Sequence, residues 1–472
     1  MQTTRNVIRA SLATLASITA AAGAATISWD SSTGSQPWLT GSNWIGGAYP
    51  GEGNNALSTN TDVASFSNAA ADVNPQIDFS SSGVNGEFAL GAIVVDNTTG
   101  SSNYSTQRIN ANGRITFNGA TVNGVPNTIL ACFSSSGPTG GSPFSALLIS
   151  NDLSTTLRLG GTTNVIQVVP GRVVNTGPQI PISETVAGSG LTITGGGAFS
   201  ATATNTFSGV VTVKGGSTFA PGGTFQGLGT SSAGDASNVV LNSGTLANLT
   251  GTTSRLFTMA GDATITTSPA ATTANFSNTG ALAVTATTNR TLTLNHQGSL
   301  GTFQFSPQIT DGASGKTSLT TASLVSSRPV NLNAANTYTG TTTVSKGALS
   351  LGASGSIANS PIINLLIASS RFNVSTVAGG SNFDGTRFAL MNGQTLNGIG
   401  SVVGAMNVSG GATVAPGNSI GTLSTQSIYF TSTPSKFAAE IDLGSILAAD
   451  LLSVTGTVSL NNSTLDISLL NL

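Results

Sequence analysis

Asn336-Thr-Tyr-Thr-Gly-Thr-Thr-Thr-Val-Ser-Lys-Gly-Ala-Leu-Ser-Leu351 alternates small polar and aliphatic residues, breaks at Lys346-Gly347, and then alternates again. Alternation with period two places one set of side chains inward and the other outward, so the stretch reads as strand, turn, strand. A degenerate copy begins at Asn205: Asn-Thr-Phe-Ser-Gly-Val-Val-Thr-Val-Lys-Gly-Gly-Ser-Thr-Phe219. Two copies of one strand–turn–strand unit predict stacked repeats. A second echo sets Gly215-Gly-Ser-Thr-Phe-Ala-Pro-Gly222 beside Gly410-Gly-Ala-Thr-Val-Ala-Pro-Gly417. In both, Pro fixes φ and the following Gly supplies positive φ, which predicts a type II corner.

Outward from these motifs, short alternating runs recur: Arg114-Ile-Thr-Phe117, Leu191-Thr-Ile-Thr194, Ala263-Thr-Ile-Thr266, Leu292-Thr-Leu294 and Met406-Asn-Val408. Gly, Asn, Ser or Pro bounds most of them. No long segment carries helical periodicity with caps. The expected fold is all-β: a right-handed parallel β-solenoid (β-helix) over 96–472, with repeat units near 205–219 and 336–351. At roughly 20–25 residues per coil the chain predicts on the order of 15–20 coils and a rod of about 70–100 Å. Ile362 to Ser370 is expected to be a buried strand.

Residues 25–95 differ. Trp29, Trp38 and Trp44 all fall there, with Tyr49, Pro50 and the acids Glu52, Asp62, Asp72 and Asp78. A solenoid needs its first coil covered, so this segment is expected to be an aromatic-rich N-terminal cap. The competing function for three tryptophans is a sugar-stacking platform; the cap core is the expectation adopted. Residues 1–24 carry Arg5 and Arg9, an apolar run from Ala10 to Ala22, and Ala22-Gly23-Ala24, the pattern of an export signal peptide. The run is shorter than the roughly 20 residues a membrane span needs.

Composition narrows function. Only 7% of the 472 residues are charged, against about 25% in ordinary soluble proteins. Gly numbers 59, and hydrophobic residues still make up 38%. Neutral polar residues on pleated surfaces fit these values. Fifteen Lys and Arg without a basic run, and a net charge of −2, argue against nucleic acid as a partner. Cys132 is the single cysteine, so no intrachain disulfide forms. An outer-membrane barrel would need aromatic girdles, and every Trp lies at the front.

The repeat at Asn336 resembles the autotransporter-associated β-strand repeat, whose pattern is an Asn-Thr-Tyr-Thr-Gly-like start, Thr-Thr-Val, a Gly turn and Leu-x-Leu. Gly411-Ala-Thr-Val-Ala-Pro-Gly-Asn-Ser-Ile-Gly-Thr-Leu423 resembles the segment following such repeats. Ala449-Asp-Leu-Leu-Ser-Val-Thr-Gly-Thr-Val-Ser-Leu460 resembles their Asp-x-Leu-x-Val-x-Gly strand, and Trp38-Leu-Thr-Gly-Ser-Asn-Trp44 the start of members from Gram-negative bacteria. The resemblance implies an exported passenger and brings no catalytic residues. Such proteins end in a membrane barrel, whereas this sequence reaches Leu472 directly after Leu465-Asp-Ile-Ser-Leu-Leu470. Another secretion route or a longer polypeptide is the corresponding expectation.

A search for chemistry returns little. Enzymes on β-helices need clustered acids and bases, and 17 acids are scattered here. Asp442, Asp450 and Asp466 are irregularly spaced; Asp311-Gly312 and Asp384-Gly385 read as turns. His296 is the only histidine and suggests a strand end. Cys132 in Ile129-Leu-Ala-Cys-Phe133 reads as a buried structural thiol. Ser189 in Gly188-Ser-Gly190 reads as loop, and Gly195-Gly-Gly197 and Gly140-Gly141 lack the Lys and helix of a phosphate cradle. The expected function is a non-catalytic exported structural or adhesive surface protein, acting at the cell surface or outside the cell. No catalytic, cofactor or metal residues and no transmembrane helix are expected. Carbohydrate or other surface and matrix components are the expected partners. The alternative is a polysaccharide lyase or hydrolase, which predicts two acids close together in a groove.

Overall fold

The structure is a computed structural model that describes residues 25–30, 37–51, 60–67, 76–78, 87–96, 108–110, 114–133, 145–148, 156–176, 180–222, 226–229, 235–270, 273–444 and 448–471. The segment 1–24, Glu52, Asp72 and Gly140-Gly141 lie outside them, as do the side chain of Asp78 and its surroundings.

Strands rich in Thr, Val, Leu and Phe stack into long sheets, one strand per coil. A 15-stranded sheet, an 11-stranded sheet and a 9-stranded sheet make the main sides, and 4-stranded sheets complete the coil at either end. Nearly every pairing is parallel. The exceptions among named strands are two hairpins, Ala120–Val122 on Val125–Cys132 and Lys436–Asp442 on Ala448–Ala449. The chain is a parallel β-solenoid. At about 4.8 Å per strand the longest sheet runs on the order of 60–70 Å.

Inward residues form continuous apolar columns. Leu292, Leu319, Thr342, Ile363, Leu396 and Val414 follow one another in register, each at most 1% exposed. Phe199 and Phe219 are also register partners and stack with ring centroids 5.4 Å apart. Coil length is not uniform. Register partners are 18 residues apart from Leu396 to Val414 but 33 apart from Ile363 to Leu396. The expected 20–25 residues per coil is therefore only an average, because the corners absorb insertions while the strands keep register.

The two repeat copies have the same local structure. Val211–Lys214 and Thr218–Ala220 form strands around Gly215 and Gly216, as Thr342–Lys346 and Ala348–Leu351 do around Gly347. They occupy different sides of the coil. Val211–Lys214 belongs to the 11-stranded sheet, whereas Thr342–Lys346 belongs to the 15-stranded one. The repeat thus specifies a corner with its two flanking strands, and not a fixed face.

That corner explains the motif residue by residue. The leading Asn caps the coil before it: Asn205 Oδ1 accepts from Ile182 N at 2.8 Å, and Asn336 Oδ1 from Ile309 N at 2.9 Å. The aromatic, Phe207 or Tyr338, is buried in the core. The Ser or Thr donates to an acid of the preceding coil: Ser208 Oγ to Glu184 at 2.7 Å, and Thr339 Oγ1 to Asp311 at 2.6 Å. The Gly allows backbone contact between coils. A Cβ on Gly340 would lie 2.3 Å from the Thr317 carbonyl oxygen, and one on Gly209 2.3 Å from that of Gly188. Gly222 and Gly417 have the positive φ expected after Pro, 85° and 88°, but Pro416 ends the strand Thr413–Pro416 and Gly417 bridges to Gly398, so the second pair is not a free type II turn.

Trp29, Trp38 and Trp44 are at most 4% exposed and pack around Phe66. Trp29 and Trp38 each meet the Trp44 ring edge-on at about 5 Å. Trp44 Nε1 donates to Trp38 O at 2.7 Å. The buried rings belong to the core of the first coils and offer no stacking face. The stack itself begins inside this segment, because Thr26–Ser28, Val63–Ser67 and Ala92–Asp96 are successive strands of the 11-stranded sheet. In Ile362 to Ser370, only Ile362–Leu365 is strand. Ile362, Leu366 and Ile367 are 37%, 42% and 40% exposed; the chain leaves the sheet after Leu365 and turns, with Ser370 N donating to Ile367 O.

Candidate functional site

Among the described residues, Asp311, Asp384, Asp442, Asp450 and Asp466 each take separate partners. Most of them fasten backbone. Asp311 accepts from Thr317 N at 2.7 Å and from the Thr339 backbone and hydroxyl, so it spans two coils besides shaping a turn. Asp384 accepts from Thr386 N and Arg387 N and from Asn407 Nδ2 one coil later. Asp442 accepts from Gly444 N and Asn471 Nδ2, and Asp466 lies 3.6 Å from Lys436.

Glu184 and Asp384 show what this does to charge. Burial raises each carboxyl pKa. The donors around them outweigh it: Ser208 and Ser189 at Glu184, and Arg387, Asn407 and Thr386 at Asp384. Both carboxyls are held below the usual range, so both stay ionised as acceptors.

Cys132 is buried in an apolar column between Val95 and Val168. His296 ends the strand Arg290–His296 and is also buried, its Nδ1 3.0 Å from Thr267 Oγ1. Burial, and then the positive charge of Arg328, holds its pKa below the usual imidazole range; the Gly301 backbone opposes this. Ser189 is buried, its hydroxyl donating to Val186 O. Among the described residues, no three His, Cys, Asp or Glu side chains group as metal ligands.

A groove of about 450 Å³ lies on the outer face of the long sheet near its last coils. Pro416 and the loop Gly417–Ser419, the strands carrying Asn397, Glu440 and Ser468, and Asp450 between two strands line it. Glu440 and Asp450 face each other across the hairpin of Lys436–Asp442 and Ala448–Ala449, an arrangement that sequence spacing did not reveal. The signal for it was the turn at Leu443-Gly444 between two short apolar runs. Asp450 is a staple: its Oδ1 accepts from Gly421 N at 2.9 Å and its Oδ2 from Glu440 N at 2.8 Å. Each oxygen accepts one backbone N–H, which fixes the Asp450 carboxylate in place beside Glu440.

The outward face leading to the groove is a ladder of hydroxyls. Thr245, Thr264, Thr293, Thr320 and Thr343 are successive register partners, about 4.8 Å apart, and Asn364 and Asn397 continue the row. The Oδ1 atoms of Asn364 and Asn397 are buried without a hydrogen-bond partner. Closed off from solvent, these acceptors are unmet within the ladder itself.

No protein-family model, curated protein or solved structure matches the chain. Among the described residues, no helix is long and apolar enough to cross a membrane.

Proposed function

We propose that this chain is a non-catalytic, exported scaffold of the autotransporter-passenger kind, acting at or beyond the cell surface as a stiff spacer or adhesin. The observation that carries this reading is the use of its acids: Glu184, Asp311 and Asp450 accept backbone donors from a neighbouring coil, and Asp384 accepts the Asn407 side chain of the next one. The export part rests on residues 1–24, and the passenger part on the repeat at Asn336.

Neutral glycans are the partner class in this reading. A row of threonine hydroxyls leading to the groove lined by Asn397 suits weak, repeated hydrogen bonds to a polyhydroxylated chain, which sum through avidity. The test is retention of the chain on a panel of immobilised polysaccharides, with release of reducing ends followed in parallel. Retention without release, weakened several-fold by Asn397→Ala, is expected. Release of reducing ends would favour the polysaccharide-active alternative, for which the Glu440–Asp450 groove is the specific observation. Absence of retention on every polysaccharide would remove the glycan reading.

A further inference from the structure

The two ends of the solenoid are unlike. Trp29, Trp38 and Trp44 belong to the core of the first coils. At the other end, the inward column that buries Leu396 and Val414 continues through Phe437 to Leu465, which is 59% exposed. Ile467 and Leu469 follow on the same face at 50% and 47%, and Val458, which pairs with the buried Ile428, and Leu460 two residues on are 49% and 56% exposed. These residues are on the core side of their coil, and among the described residues no strand stacks on them.

The backbone of Thr464–Leu470 is open as well. The strand pairs with Lys436–Asp442, and among the described residues with no other. Thr464 N donates to Ser435 O, and Leu470 O accepts from Leu443 N. Thr464, Asp466, Ser468 and Leu470 therefore face the neighbouring strand. Alternate residues of a parallel ladder face opposite edges, so the N–H and C=O groups of Leu465, Ile467 and Leu469 point outward from the stack.

We propose that this edge pairs with the same edge of a second copy of the chain, antiparallel and two-fold about Ile467. The sequence is self-complementary in that register. Leu465 falls opposite the partner's Leu469, and Ile467 opposite the partner's Ile467. These are the residues with outward backbone groups, and each such pair exchanges two hydrogen bonds. The two-fold keeps both core faces on one side, so the two apolar columns become continuous. Asp466 falls opposite the partner's Ser468, which avoids setting carboxylates together. A register centred on Asp466 would oppose two of them, which is unfavourable. The N-terminal end of another copy fits less well, because its tryptophans are already buried. A self-complementary patch closes as a dimer and does not propagate.

Sedimentation of the 472-residue chain over a range of concentrations tests this. A dimer of twice 46.7 kDa is expected. Ile467→Lys abolishes the dimer and leaves the circular dichroism of the exposed-edge variant unchanged. Ser468→Asp and Ser468→Lys leave the fold intact and move the dimer Kd in opposite directions, ending about tenfold apart at low salt, since each acts twice opposite the partner's Asp466. A chain that is monomeric at every concentration would overturn the proposal. So would a dimer that tolerates Ile467→Lys, equal effects of the two Ser468 variants, or open-ended higher oligomers.

Discussion

Asn336 fastens three coils at one corner. Its Oδ1 takes the Ile309 N–H from the coil before, and its Nδ2 reaches Ser356 O in the coil after. Asn205 does the same toward Ile182 and Gly227, and Asn382 takes the Ile357 N–H. Asn336→Ala leaves a buried N–H unmet and is expected to cost about 1–3 kcal/mol, measured by urea unfolding. Gly340→Ala forces its Cβ against the Thr317 carbonyl and is expected to destabilise by a similar or greater amount. His296 gives a pH signature. Its folded pKa lies below the unfolded value of about 6.5, so the folded state favours the neutral ring. Its contribution is intact above pH ~6.5 and is lost as pH falls through the lower folded value. The urea midpoint is expected to decline over that window, and His296→Gln to flatten the decline there. Glu184 and Asp384 act lower down. Their depressed pKa values mean stability that is present above the usual carboxylate range of about 4 and lost below it.

At the scale of strands and corners, alternation was legible and connection was not. Thr343-Val344 and Leu349-Ser-Leu351 declare their inward residues, because a half-buried strand must alternate. The Lys346-Gly347 break was equally plain, since Gly347 has φ of 66°. What could not be read was which side of the coil a strand joins, because the corner between sides tolerates insertions. The copy at Asn205 therefore sits one side away from the copy at Asn336. The function of Asp311 was hidden for a related reason: its partner Thr339 is 28 residues downstream, a distance set by coil length and not by any local pattern. Glu440 and Asp450 escaped notice because they meet in an antiparallel hairpin, one of two departures from the parallel pairing of the other named strands.

Over the whole molecule, stability comes from inward columns and from side chains that stitch one coil to the next, without a disulfide. Cys132, the single cysteine, is buried. Far-ultraviolet circular dichroism is expected to be strand-dominated and unchanged by a metal chelator; a helical spectrum or a loss of signal with chelator would contradict the fold. The central claim is that successive coils lie in parallel register along the rod. Thr293 and Thr320 are register partners on the outer face of the long sheet, and Thr343 is the next in the row. The most direct measurement is disulfide closure in paired cysteine variants. Neighbouring strands lie about 4.8 Å apart, within the Cα separation a disulfide spans, and strands two coils apart do not. Thr293→Cys with Thr320→Cys is predicted to close readily under mild oxidation, and Thr293→Cys with Thr343→Cys to stay reduced. Failure of the first pair, or equal closure of both, would contradict the account.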